Sequence, residues 1–290
     1  MNQRRRNVLP LNKVKVDDFF WNKYTRLVTD QIIPYQWEAL NDRVEDAEPS
    51  HCIKNFEIAA GLREGEFEGA VFQDTDLAKW LEAVAYSLAY EPDAELEKRA
   101  DAMIDLIGKA QQPDGYLDTY FIIKEPDKKF CNLREGHELY TAGHFMEAAV
   151  AYYQVTGKEK FLHIMQRVAD LICEVFHQEA FQQAVPGHEE VEIGLIRLYQ
   201  VTGERRYLEM AKDFVDTTVE PVVTYESGLL GGTDVIRLSG KRMDAEAWSS
   251  DALYAEKRVP LKETELTLVP YCYWGNRKTG EMQTWMKFLQ

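Results

Sequence analysis

Four side chains that donate or accept hydrogen bonds, His137, Tyr140, His144 and Glu147, recur along the chain at intervals of three, four and three residues. On an α-helix this spacing stacks them along one face. Leu139, Met146, Val150 and Tyr153 fall on the other side, so the stretch predicts a helix that packs through one face and turns a polar stripe toward something wetter. A metal shared by His137 and His144 does not fit, because seven residues of helix separate them by about 10.5 Å. Metal-binding histidines on a helix usually stand one turn apart. A row of His, Tyr and Glu suits a polyhydroxylated ligand, which needs donors and acceptors along a groove. A pair of satisfied core or interface histidines would produce the same pattern.

Three further stretches could carry chemistry. In Pro186–Glu192 the acidic residues suit the first turn of a helix, which accounts for Glu189 and Glu190 but not for His188. Glu192 follows His188 by four, so the two could meet on one face. Phe72-Gln73-Asp74-Thr75-Asp76, with Lys79 and Trp80 on the next turn, offers Asp74 as a ligand contact, against the simpler reading of Asp74–Asp76 as a helix cap. Asp114-Gly115-Tyr116-Leu117 is a turn whose aromatic could form a platform under a sugar ring, or be only a turn.

The elements that must hold these residues are mostly helical. Residues 18–42 read as two helical pieces or one helix kinked at Pro34. Leu77, Trp80, Val84 and Leu88 mark an amphipathic helix that breaks at Glu91-Pro92-Asp93, and Leu96, Met103, Ile104 and Ile107 mark its antiparallel partner. Tyr153-Gln-Val-Thr-Gly157 with Phe161-Leu162 recurs as Tyr199-Gln-Val-Thr-Gly203 with Tyr207-Leu208, an internal repeat that predicts stacked helical hairpins with glycine at each helix end. Roughly eight helices are expected before Val219. After Glu220 come short runs rich in β-branched and aromatic residues: Val222–Tyr225, Val235–Leu238, Leu266–Trp274 and Met282–Phe288. The expected layout is a helical domain over 15–220 and a small β region over 221–290. So small a sheet should dock on the helices or join a second copy in a homo-oligomer.

Composition narrows the partners. Thirty-four Lys and Arg against 49 Asp and Glu leave a net charge of −15, which repels nucleic-acid phosphate and anionic membrane. Arg4-Arg5-Arg6 leads into no apolar core of signal-peptide length, and no run of 18 uncharged apolar residues exists, so a cytoplasmic protein is expected. Cys52, Cys131, Cys173 and Cys272 are scattered without a C-x-x-C pair, which suits reduced thiols better than a zinc or disulfide framework.

In combination, Ile33-Pro34-Tyr35-Gln36-Trp37, Val71–Asp76 with Lys79–Glu82, Ala110-Gln111-Gln112 with Asp114–Leu117, His137–Tyr140 with Gly143-His144, and Gly187-His188-Glu189 with Glu192 resemble the β-L-arabinofuranosidases of glycoside hydrolase family 127 over nearly all of residues 15–219. The resemblance implies an (α/α)6 barrel followed by β-sandwich domains. It also implies a retaining glycosidase with a zinc-bound cysteine thiolate as nucleophile and a glutamate as acid/base. His137 and His188 would contact the arabinofuranose, with Tyr140, His144, Asp74 and Glu192 as further candidate substrate contacts.

The tail resembles the last sandwich strands of much longer members, through Gly228–Gly232, Val269–Arg277 and Gly280-Glu281-Met282. The part of the family sequence that carries the acid/base, a Glu-x-Cys motif and an adjacent Cys-Cys pair has no counterpart: here no cysteine follows a glutamate by two and none is adjacent to another. The expectation is therefore an incomplete (α/α)6-barrel-like array with no catalytic residue, no metal ligand and no cofactor of its own, catalytically impaired. Two other readings are a noncatalytic carbohydrate-binding or assembly protein, and an epimerase or lyase on another (α/α) barrel with His137 or His188 as base.

Overall fold

The computed structural model describes residues 13–181 and 184–215 in full, and beyond them the backbone of 216–218 and of five short strands. The chain divides into two compact units, Met1–Phe214 and Val215–Gln290. In the first, α1 (Phe19–Leu27) runs through a π-helical turn (Val28–Ile32) into α2 (Ile33–Leu40), with Pro34 in the first turn of α2, directly after the π-helical turn. Then follow α3 (Cys52–Ala59), α4 (Asp74–Tyr90), α5 (Ala94–Ala110), α6 (Thr119–Ile123), α7 (Glu138–Thr156), α8 (Lys160–Phe176), α9 (Val191–Thr202) and α10 (Arg205–Thr218). These are ten α-helices among the described residues, against the roughly eight expected. Short pieces such as the five-residue α6 are too brief to show a period.

The α4–α5 hairpin forms as the sequence predicts, with Asp93 accepting from the backbone N–H groups of Glu95 and Leu96 to cap α5. The repeat forms two hairpins, α7–α8 and α9–α10, closed in the same way. Gly157 and Gly203 adopt φ +72° and +76°, and their N–H groups donate to Tyr153 and Tyr199. Thr156 and Thr202 bond back to Tyr152 and Leu198 at 2.7 Å. Phe161 and Tyr207, the aromatic that follows each turn, are both buried. A Cβ at Gly157 would meet nothing within 4 Å. Gly157→Ala should therefore cost only the left-handed backbone term, about 1 kcal/mol in a urea melt, without disturbing the fold.

The core corrects the expected amphipathic character of α7. Leu139, Met146 and Val150 are buried as anticipated, but so are Ala142, Phe145, Ala148, Ala149, Ala151 and Tyr152, because α4 and α9 flank this helix and α8 returns against it. A helix enclosed by neighbours is apolar almost all round. Of its polar residues, Glu138, Thr141 and Glu147 are buried with the rest, and Gln154 in the last turn is exposed.

In the second unit, β1 (Pro221–Glu226), β2 (Asp234–Gly240) and β3 (Lys257–Val259) pair antiparallel in that order, and β4 (Trp274–Gly275) pairs with β5 (Met282–Gln283). The tail motif Gly228–Gly232 and the run Leu266–Tyr273 lie outside the described residues.

Candidate functional site

The site is assembled from the N-terminal end of α7, the loop entering α9, and the start of α4. His137 is the residue that enters α7 rather than a member of it, held at φ +57°. A non-glycine residue in this region is uncommon and is kept there by its surroundings. Its Nδ1 lies 2.8 Å from the Glu135 carbonyl, which can only accept, so Nδ1 carries a proton, and in the neutral ring Nε2 is then the acceptor.

The His188 ring lies 4.8 Å from that of His137 and 5.0 Å from that of Tyr140. Tyr140 stands 5.8 Å from His137 and meets the His144 ring edge-on at 4.5 Å. Phe72 extends the group, 5.1 Å from His137 and 43% exposed. Lys79 donates to the Tyr140 hydroxyl at 3.0 Å and sits over its ring. The stripe and His188, separate in sequence, thus form one patch of five rings with a lysine at its margin. Partial burial and the neighbouring His137 push the His188 imidazole below its ordinary value, which favours the neutral, hydrogen-bonding form at pH 7.

Toward the interior the stripe continues into charge. His144 Nδ1 lies 3.1 Å from Glu190 Oε1, and burial, helped by Lys79, pushes the imidazole down to about 4. Glu147 is buried, and burial together with the facing Glu190 pushes it up to about 7, although Arg197 forms an ion pair with it at 2.8 Å. Arg197 also reaches Glu82 and the Tyr86 hydroxyl.

Three candidate residues take other places. Asp74 is 2% exposed, and its carboxylate accepts from both the backbone N–H and the hydroxyl of Thr119, at the start of α6. It neither caps α4, which Gln73 precedes, nor faces the patch. Its neighbours Phe72 and Lys79 stand there instead. Tyr116, read as a possible platform, is buried and donates its hydroxyl to Glu138. Glu192 lies in the first turn of α9, 5% exposed, with neither oxygen hydrogen-bonded, and does not bond to His188. A cavity of about 270 Å³ lined by Ala39, Asp42, Arg43, Val44 and Pro49 among others shares no residue with the patch.

The residues present do not fit the zinc-bound thiolate that the resemblance implies. Cys52 and Cys173 are buried, and burial raises both thiols, Cys173 to about 11, so each stays protonated at neutral pH. The exposed Cys131 belongs to no ligand cluster among the described residues, and Cys272 lies outside them.

An array of helical hairpins thus presents three imidazoles, a tyrosine and an exposed phenylalanine in one patch. Residues 13–256 match the family described as β-L-arabinofuranosidase, GH127 catalytic domain. The chain belongs to glycoside hydrolase family 127. It is 41% identical over 220 residues to a non-reducing end β-L-arabinofuranosidase of Bifidobacterium longum subsp. longum, a match covering 70% of this chain and 33% of that protein. Among solved structures, a GH127 β-L-arabinofuranosidase from Geobacillus stearothermophilus T6 superposes with TM-score 0.70 at 56% identity, over 71% of this chain and 33% of its own. A second GH127 β-arabinofuranosidase superposes with TM-score 0.65 at 34% identity, over 72% and 34%. The chain matches about a third of the length of each of these relatives. Among the described residues, no helix is long and apolar enough to cross a membrane.

Proposed function

We propose that this chain carries the sugar-recognition part of a GH127 glycosidase and binds the non-reducing L-arabinofuranose of a β-linked arabinofuranoside, with little or no turnover by itself. The observation that carries this reading is the convergence of His137, Tyr140 and His188 into one patch, in a chain whose relatives are β-L-arabinofuranosidases. The His137 Nε2 acceptor, the Tyr140 hydroxyl and the His188 nitrogens supply hydrogen bonds to ring hydroxyls, while Phe72 offers an apolar face to C–H groups. Impaired turnover is inferred from the absence of a Glu-x-Cys motif and an adjacent cysteine pair, and from the protonated state of the buried thiols. Loss of a covalent nucleophile removes most of the acceleration while binding contacts persist. The strands after Pro221 are assigned by the same reading to a remnant of the family's C-terminal sandwich.

Titration calorimetry with L-arabinose should detect binding in the wild type, and His137→Ala and His188→Ala should each weaken it roughly tenfold or more, the loss of one well-formed hydrogen bond to a buried ligand group. An aryl β-L-arabinofuranoside assayed with and without zinc should show no turnover comparable to an ordinary glycosidase. Binding left intact in both histidine variants would refute the site, and brisk turnover would refute the impairment.

A further inference from the structure

Beneath the aromatic patch, His144, Glu147 and Glu190 converge so that one ligand atom from each lies within 4.8 Å of the other two. We propose that this triad is a binding site for one divalent transition-metal ion, tying α7 to the entry of α9. The proposal is independent of the sugar-binding reading and uses none of the residues that reading places in contact with the ligand.

The placement is imposed by backbone. His144 and Glu147 stand one turn apart on α7, the spacing at which helical residues share a ligand. Glu190 immediately precedes α9 and is pressed against α7 where Gly143 has no side chain: a Cβ at Gly143 would lie 2.7 Å from the Glu190 carbonyl carbon. The donors are also under-used. His144 Nε2 and Glu190 Oε1 are both buried without a hydrogen-bond partner, the second lying 3.1 Å from His144 Nδ1 without the alignment of a hydrogen bond. Buried polar atoms of this kind are ordinarily satisfied, by an ion where protein groups do not serve.

Charge points the same way. Arg197 is shared by two carboxylates, Glu147 at 2.8 Å and Glu82 at 3.6 Å, a third, Glu190, faces Glu147, and Lys79 is engaged with Thr75 and Tyr140. A divalent ion would offset that excess of negative charge. One imidazole with two carboxylates suits Zn²⁺, Co²⁺ or Mn²⁺ better than Ca²⁺ or Mg²⁺, which prefer all-oxygen shells. Ligand bonds of about 2.0–2.2 Å require the three side chains to close by roughly 1 Å or less, within the reach of side-chain rotation.

The test uses the whole chain with Cys131→Ser to remove the exposed thiol. Metal-stripped protein is loaded with Co²⁺ or Zn²⁺, desalted and assayed for metal content, with the Co²⁺ absorption spectrum recorded. The expected result is about one equivalent retained, a Co²⁺ spectrum without a thiolate charge-transfer band, and affinity reduced roughly tenfold or more in His144→Gln and Glu190→Gln. His163→Gln, an exposed histidine on α8, should leave it unchanged. Should either triad variant fail to fold by circular dichroism, Mn²⁺ electron paramagnetic resonance of the unaltered site, with and without imidazole-nitrogen labelling, reads histidine coordination directly. No retained metal, equal retention in a folded Glu190→Gln, a thiolate band, or no nitrogen coupling would each overturn the proposal.

Discussion

Gly143→Ala should be among the most damaging single-methyl changes available to this protein, lowering stability by about 2–3 kcal/mol and weakening any ligand affinity measured at the His137–His188 patch. The added Cβ would stand 2.7 Å from both the carbonyl carbon and the carbonyl oxygen of Glu190 and 2.8 Å from its Cγ. Two of those three atoms are backbone, so no rotamer change relieves the clash. α7 and α9 must separate by several tenths of an ångström. The opposing position behaves alike, since a Cβ at Gly194 would meet the Gly143 carbonyl oxygen and the Met146 Cβ at 2.9 Å. Gly143 and Gly194 thus form one small-residue contact through which the two helices approach. Their substitutions should be non-additive: once Gly143→Ala has moved α9, Gly194→Ala finds part of its space already made.

The functional consequence follows from where α9 leads. His188 lies in the loop before it, and its ring is held against His137, which enters α7, and Tyr140 in its first turn. Moving α9 outward carries His188 away from rings only 4.8–5.0 Å distant, so affinity should fall with stability. Urea melts of the two single variants and the double, with calorimetry on whatever folds, separate these effects. Gly143→Ala at wild-type stability would show that the helices are not packed this closely.

The same contact explains what the sequence could and could not disclose. Helices spaced by a local period, and hairpins ended by Gly157 and Gly203, were legible because the determining residues are neighbours in sequence. The His137 stripe was legible for the same reason. Hidden from the sequence were pairings across elements. Asp74 lies in the right segment, but its carboxylate turns inward to a threonine 45 residues away, leaving Phe72 and Lys79 outside. Glu190 looked like an ordinary first-turn acid, whereas the close α7–α9 approach sets it against His144. The polar stripe on α7 suggested a half-exposed helix. Only the flanking α4, α8 and α9 show it to be enclosed along most of its length.

The second large effect concerns pH. Asp74, Asp118 and Glu138 are each at most 3% exposed, and together with Tyr116 they form a buried acidic group in which each carboxyl is denied most of its hydration. Burial pushes Asp74 up to about 6 despite the two bonds from Thr119, and Glu138 up to about 7 despite the Tyr116 hydroxyl and the Phe130 N–H. Asp118, whose Oδ2 has no partner, is raised well above the carboxylate range by burial and by its two acidic neighbours. The unfolded chain releases these protons near pH 4. Between pH 4 and 7 the native state therefore binds more protons than the unfolded state, and stability falls as pH rises through that window. With each tenfold difference in proton affinity equal to about 1.4 kcal/mol, the unfolding free energy at pH 8 should lie on the order of 3 kcal/mol below its value at pH 5. Asp74→Asn keeps an acceptor for the Thr119 N–H and an amide group facing its hydroxyl, yet cannot ionise. It should lose stability at pH 5, where the wild-type carboxyl is largely protonated, and recover most of the deficit at pH 8. Urea midpoints at half-unit pH steps decide the matter: a wild-type curve that rises from pH 5 to pH 8 would mean that these carboxyls are hydrated or cation-paired in the folded protein, and a curve for Asp74→Asn parallel to wild type would exclude Asp74 as one of the titrating groups.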